Sequence, residues 1–226
     1  MDLSAIRPAT KADAAYRKLR RRIIDASLVP GSRLDQELLA TTLGVSTTPL
    51  REALRRLEAE RLVERAAHRQ VVIAPLSRRE FRELYEIRLE LDSLSVALAA
   101  RTGRRSDLLD AERHLAAPNL PREGLQFNRA FHRALYAACG NAVLIEVLDS
   151  LWDRSARYRF FLIRDPEEPT VAAREHRRLL ALTAAGDAEG ASSLMRRHLQ
   201  RSAAQIEPLM RDRWDGDDPS PDGAAP

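Results

Sequence analysis

Among the five histidines of this chain, three have the type and setting to hold a metal. The segment FNRAFHRALYAACGN puts Asn128 and His132 four residues apart, so both project from one face of a helix. VAAREHRRLL supplies His176, and SSLMRRHLQ supplies His198 beside Leu194 and Leu199. Three imidazoles and an amide oxygen suit Zn²⁺, Ni²⁺ or Mn²⁺ and would leave coordination positions open for a small molecule. Taken alone, each histidine reads first as a core residue with a hydrogen bond or as a half-exposed one, because spacing does not bring three helices together. Arg88, in ELYEIRLELDSLSVALAA, sits one turn from Leu84 and Leu91. It is either an i,i+4 surface partner of Asp92, worth ~0.3–0.5 kcal/mol, or an inward guanidinium able to hold a carboxylate bidentately. Arg154, Arg157 and Tyr158 are candidates for the same surroundings.

A second constellation lies in LGVSTTPLREALRRLE. Ser46 is placed to cap a helix, and Pro49 is tolerated in its first turn. Leu50, Ala53, Leu54 and Leu57 form the inward stripe, which leaves Thr47, Arg51 and Arg55 at i, i+4 and i+8 on another face. Ser46, Thr47 and Thr48 then offer hydroxyls at a helix N-terminus, where phosphates bind, with guanidiniums behind them that can fork onto guanine edges. The bland alternative is a solvated face opposite a leucine stripe.

The elements around these residues are mostly helical. Thr10 and Asp13 begin a helix that SLVPGSR ends, Asp35 opens a short one closed by Gly44, and Ser46 opens the third. LVER and VVIAP, separated by AAHRQ, predict a two-stranded hairpin that offers His68 and Arg69. Beyond Ser77 the periodicity predicts only helices, near 77–101, 105–116, 121–138, 141–163, 167–185 and 187–212. The expected architecture is mainly α: a winged helix-turn-helix domain over 1–75, then an antiparallel all-α bundle over 76–212. A disordered acidic tail is expected over 213–226, where residues 212–226 carry five Asp and one Arg.

Charge supports a division of labour. Residues 1–75 carry 14 Lys+Arg against 9 Asp+Glu, and the remainder 23 against 24, so the positive excess sits where a polyanion would be met. With 44% hydrophobic and 31% charged residues, the composition is that of a globular chain. No apolar run approaches the ~18 residues of a membrane span, and the N-terminus lacks an apolar signal region. The single Cys139 excludes an internal disulfide and fits a reducing compartment, so a cytoplasmic protein without membrane contact is expected.

The first 75 residues resemble the winged-helix domain of the GntR superfamily of bacterial transcription regulators, most densely in GVSTTPLREALRRLE. The resemblance implies Thr48 and Arg51 as phosphate or base contacts and Arg33 as a backbone contact. Three positions depart from the pattern: Thr47 and Arg61 replace its usual Arg and Gly, and Gln70 its wing-tip Gly. The family's base preference is therefore not carried over. Residues 77–212 resemble the FadR-type (FCD) domain through Asn128, His132, Glu175–His176 and His198. That resemblance implies a divalent metal held by Asn128, His132, His176 and His198 in an effector site, with Arg88 on the effector. Asn128 stands where the family more often has Asp, and a neutral amide attracts a cation less.

The function expected is a repressor of a catabolic or metabolic operon, not an enzyme. It would act as a homodimer on a palindromic double-stranded DNA operator and respond to a small carboxylate. A metal-dependent hydrolase or isomerase is the first alternative, weakened by the absence of H-E-x-x-H, Walker A and G-x-S-x-G sequences. A sequence-indifferent architectural DNA binder is the second.

Overall fold

A computed structural model of the chain describes residues 10–66, 70–103, 105–115, 121–162 and 169–214. His68 and Arg69 lie outside the described residues, as does the acidic segment from 215 onward. The chain divides into two compact units, Met1–Leu76 and Ser77–Pro226.

In the first unit, α1 (Lys11–Ile24) begins at a complete capping box. The Thr10 hydroxyl accepts from the Asp13 N–H, and the Asp13 carboxylate accepts from the Thr10 N–H at 3.0 Å. That backbone bond, helped by Arg56, holds the Asp13 carboxyl down at about 2. β1 (Arg33–Leu34) precedes α2 (Gln36–Leu43), whose first turn is capped by Asp35 accepting from the Glu37 and Leu38 N–H groups. α2 ends at Gly44 with φ 66°, a left-handed conformation glycine adopts without a Cβ clash. Ser46 occupies the N-cap position of α3 (Thr47–Ala59), but its side chain makes no capping hydrogen bond. The expected hydroxyl cap is absent, and Ser46 is left exposed.

β2 (Val63–Arg65) and β3 (Val71–Ile73) form the expected antiparallel wing. The sheet has three strands, not two: β1 pairs with the other side of β3, Arg33 opposite Val72, giving the order β1-β3-β2. Two residues of β1 are too few for an alternating pattern, which is why the sequence does not announce them. Leu50, Leu54 and Leu57 of α3 bury against Leu19, Ile23, Leu34, Ala40, Leu62 and Ile73. α3 ends in a Schellman turn, with Leu62 N–H on the Leu57 carbonyl at 2.9 Å and Arg61 N–H on Glu58 at 3.0 Å. Arg61 takes the left-handed position there, φ 57°, at a cost of ~1 kcal/mol that glycine avoids.

Every described element of the second unit is helical: α4 (Arg78–Thr102), α5 (Leu109–Leu115), α6 (Pro121–Ala137), α7 (Ala142–Leu162), α8 (Pro169–Ala184) and α9 (Ala188–Trp214). The helix expected over 105–116 begins instead as a 3-10 turn, Arg105–Leu108, before α5. α4 packs against α6, α7, α8 and α9 and so forms the spine of the unit. Its N-terminus is tied to α7. The buried Tyr158 hydroxyl accepts the Ser77 N–H at 3.2 Å and lies 2.7 Å from the Glu80 carboxylate, which Arg154 also holds at 2.6 Å. Two of the three side chains considered as site lining, Arg154 and Tyr158, are thus engaged at the start of α4.

Candidate functional site

Among the polar groups that the helical unit buries are His132 on α6, His176 on α8 and His198 on α9. Their ring centroids are 4.9–5.2 Å apart. One nitrogen from each lies within 4.8 Å of the others. The apolar stripes of three helices bring together what spacing alone does not. Phe131 packs its ring 4.7 Å from His176, and Trp152 of α7 stands 6.5 Å from His132.

Electrostatics keep the three rings neutral, the form that ligates a metal. Burial is the largest cause for each. Mutual histidine charge adds to it at His132 and His176, and Arg159 at all three. His198 is held down to about 4.

Hydrogen bonds select which nitrogen remains available. The Tyr136 hydroxyl donates its one proton to the Asp92 carboxylate at 2.8 Å and stands 3.3 Å from His132 Nδ1. Toward His132 it can only accept, so Nδ1 carries the proton and Nε2 keeps its lone pair. His198 Nδ1 lies 2.7 Å from the Glu175 carboxylate, which accepts only, with the same consequence. Two buried atoms complete the picture: His176 Nε2 and the Asn128 Oδ1, one turn before His132, have no hydrogen-bond partner. Leaving such atoms unsatisfied costs roughly 1–3 kcal/mol each. A divalent cation would remove that cost wherever it took up such an atom, so the three converging histidines fit the metal that the FCD resemblance implies.

Arg88 is neither on the surface nor free. It is 4% exposed, donates to Asp92 at 2.8 Å and to Ser155 at 2.8 Å, and leaves its Nε without an acceptor. Burial, the largest single influence, would lower its pKa, but Asp92 together with Tyr85 and Tyr136 outweighs it and raises the pKa. A buried chain therefore runs from His132 through Tyr136 and Asp92 to Arg88 and Ser155. Asp92, Tyr136 and Arg159 belong to this site and were not singled out from the sequence. Asp92 was visible only as an i,i+4 partner, and the other two carry no spacing signal.

In the first unit, Arg33, Ser46, Thr47, Thr48, Arg51 and Arg55 are all exposed. Among the described residues, Arg51 and Arg55 engage no other side chain. Arg56 differs, pairing with Asp13 at 2.7 Å and lying over the Tyr16 ring at 3.9 Å. It is an intramolecular strut between α3 and α1.

Comparison with known proteins agrees with both units. Residues 11–73 match the model of bacterial regulatory proteins of the gntR family, and residues 83–201 match the FCD domain. The chain is 33% identical to the HTH-type transcriptional repressor GlaR of Escherichia coli over 210 residues, 86% of this chain and 95% of that protein. It is 30% identical to the Glc operon transcriptional activator of Escherichia coli over 190 residues, 71% of this chain and 75% of that protein. The solved structure of Escherichia coli McbR/YncC superposes with a TM-score of 0.76 at 27% identity, covering 89% of this chain and 99% of that one. No described helix is long and apolar enough to cross a membrane. The chain belongs to the GntR family of DNA-binding transcriptional regulators and carries an FCD domain, which makes it a regulator and not an enzyme.

Proposed function

We propose that this regulator is a metal-dependent, ligand-responsive repressor in the cytoplasm. Its DNA face is α3 and the strand beside it: Ser46, Thr47, Thr48, Arg51 and Arg55 in the major groove, and Arg33 on the phosphate backbone. His68 and Arg69 would add contacts from the wing. Exposed hydroxyls at a helix N-terminus suit phosphates and unpaired guanidiniums suit guanine edges, while Arg56 is excluded by its bond to Asp13. The protein acts as a homodimer on a palindromic operator, since two-fold symmetry in the protein reads two-fold symmetry in DNA.

Asn128, His132, His176 and His198 would hold a divalent ion: Zn²⁺, Ni²⁺ or Mn²⁺. Bound there, the ion supplies an open coordination position for an oxygen of a small carboxylate. Glu175 and the Tyr136–Asp92–Arg88 chain orient the ligating rings, and Arg88 borders the effector. Occupancy of this site changes operator affinity, and the operator controls a catabolic or metabolic operon. The observation that carries the reading is the buried neutral histidine cluster with two buried atoms left without hydrogen-bond partners, His176 Nε2 and Asn128 Oδ1.

Selection of bound DNA from a random pool, with metal and with or without each of a set of carboxylates, tests it. A palindromic consensus released by one acid is expected. Enrichment without any consensus, lost evenly with salt, would instead mark a sequence-indifferent DNA binder.

A further inference from the structure

We propose that Arg159 receives the acidic group of the effector, and that the free Nε–Nη2 edge of its guanidinium makes this a site for a small oxyanion of carboxylate or phosphate type. The inference rests on the metal-dependent reading above and adds the residue that selects for charge.

Three observations converge on Arg159. First, its place on α7 is right. Trp152, Ser155 and Arg159 follow at three- and four-residue steps, so they share one helix face. Trp152 faces His132 and Ser155 receives Arg88. Second, its Nη1 donates to Ser202 Oγ, one turn beyond His198 on α9, which sets the guanidinium against the cluster. Its charge helps depress all three histidines and also Arg201.

Third, nothing in the described residues neutralises it. Arg88 has Asp92, Arg154 has Glu80 and Arg201 has Glu175. Arg159 has only the Ser202 hydroxyl, and its buried Nε has no acceptor. With three neutral imidazoles alongside, the site carries a net positive charge before any metal arrives, and a divalent ion adds two more. A partly buried, uncompensated cation is costly, and an anion whose two oxygens lie on the Nε–Nη2 edge removes that cost bidentately. The same field disfavours cationic ligands and gives neutral ones no such gain.

The test uses the full chain, stripped of metal and titrated with Zn²⁺ against a competing chelator. Titrations are run in chloride alone and with added acetate, succinate, methylphosphonate or neutral acetamide. In the wild type an oxyanion should tighten Zn²⁺ binding by about tenfold or more, and acetamide should not. The carboxylate and phosphonate arms show which class is preferred. Arg159→Leu should bind Zn²⁺ more tightly in chloride, because a repelling cation is gone, and should lose the anion response. Arg159→Lys keeps charge and packing. It should bind Zn²⁺ in chloride as the wild type does but lose most of the anion effect. An anion response in Arg159→Leu equal to the wild type's, or none in the wild type, overturns the assignment. If the wild type takes up no Zn²⁺, the metal reading fails by itself. The same anions are then compared by thermal shift on metal-free wild type and Arg159→Leu. A shift confined to the wild type supports Arg159, and equal or absent shifts reject it.

Discussion

Arg51 and Arg55 stand in solvent on α3 without partners among the described residues, whereas Arg88 lies 4% exposed on α4, bonded to Asp92 and Ser155. The same side chain is used in two physical regimes. On α3 a guanidinium is held at almost no cost, so losing it should change what the protein binds and leave its stability alone. On α4 it is part of a buried network, where each member left without a partner carries a desolvation penalty.

The largest effect expected from this contrast is in the buried network. Asp92→Ala leaves Arg88 charged and unpaired in the interior and removes the acceptor of Tyr136. It should destabilise the protein by ~3–5 kcal/mol, read from denaturant unfolding, against less than ~0.5 kcal/mol for Arg51→Ala. Similar losses for the two would erase the distinction.

Next in size is a pH effect on the metal-free protein. The folded pKa of His198 lies at about 4, below the unfolded value of ~6.5, and His132 and His176 are lowered too. Between these values the unfolded chain binds more protons, so stability rises with pH there and is lost as pH falls from ~6.5 toward 4. His198 alone accounts for about 3 kcal/mol. Thermal melts across this range should show the loss, and Zn²⁺ should shift it to lower pH.

Arg51→Ala should weaken binding to a selected operator by ~1–3 kcal/mol, measured by titration at fixed salt. Unchanged affinity would remove α3 from its assigned role. The smallest effect is at Arg61. Arg61→Gly relieves the left-handed strain but frees the unfolded chain, for a net gain of about 0.5 kcal/mol. A loss instead would mean that the Arg61 side chain itself stabilises the unit.

What was legible in the sequence followed the range of the interaction. Capping by Thr10 and Asp35 and the Gly44 turn are settled within four residues, and they stand as read. β1 exists only because β3 pairs with it, so no local pattern foretold it. The chemical types of His132, His176 and His198 could be read, as could the Asn128–His132 spacing, but their convergence depends on packing among α6, α8 and α9. Arg88 was legible either as a surface partner of Asp92 or as an inward guanidinium, and the structure combines the two in a buried pair. Arg159 was missed altogether, because what distinguishes it is the acid it lacks, and that is a tertiary fact.

The central claim is that the buried histidines form a metal site, and counting metal tests it most directly. Elemental analysis after equilibration with Zn²⁺ and removal of excess should give about one ion per wild-type chain. It should give none for His132→Ala combined with His198→Ala, with helical circular dichroism retained. Equal metal in the two proteins, or none in the wild type, would contradict the account.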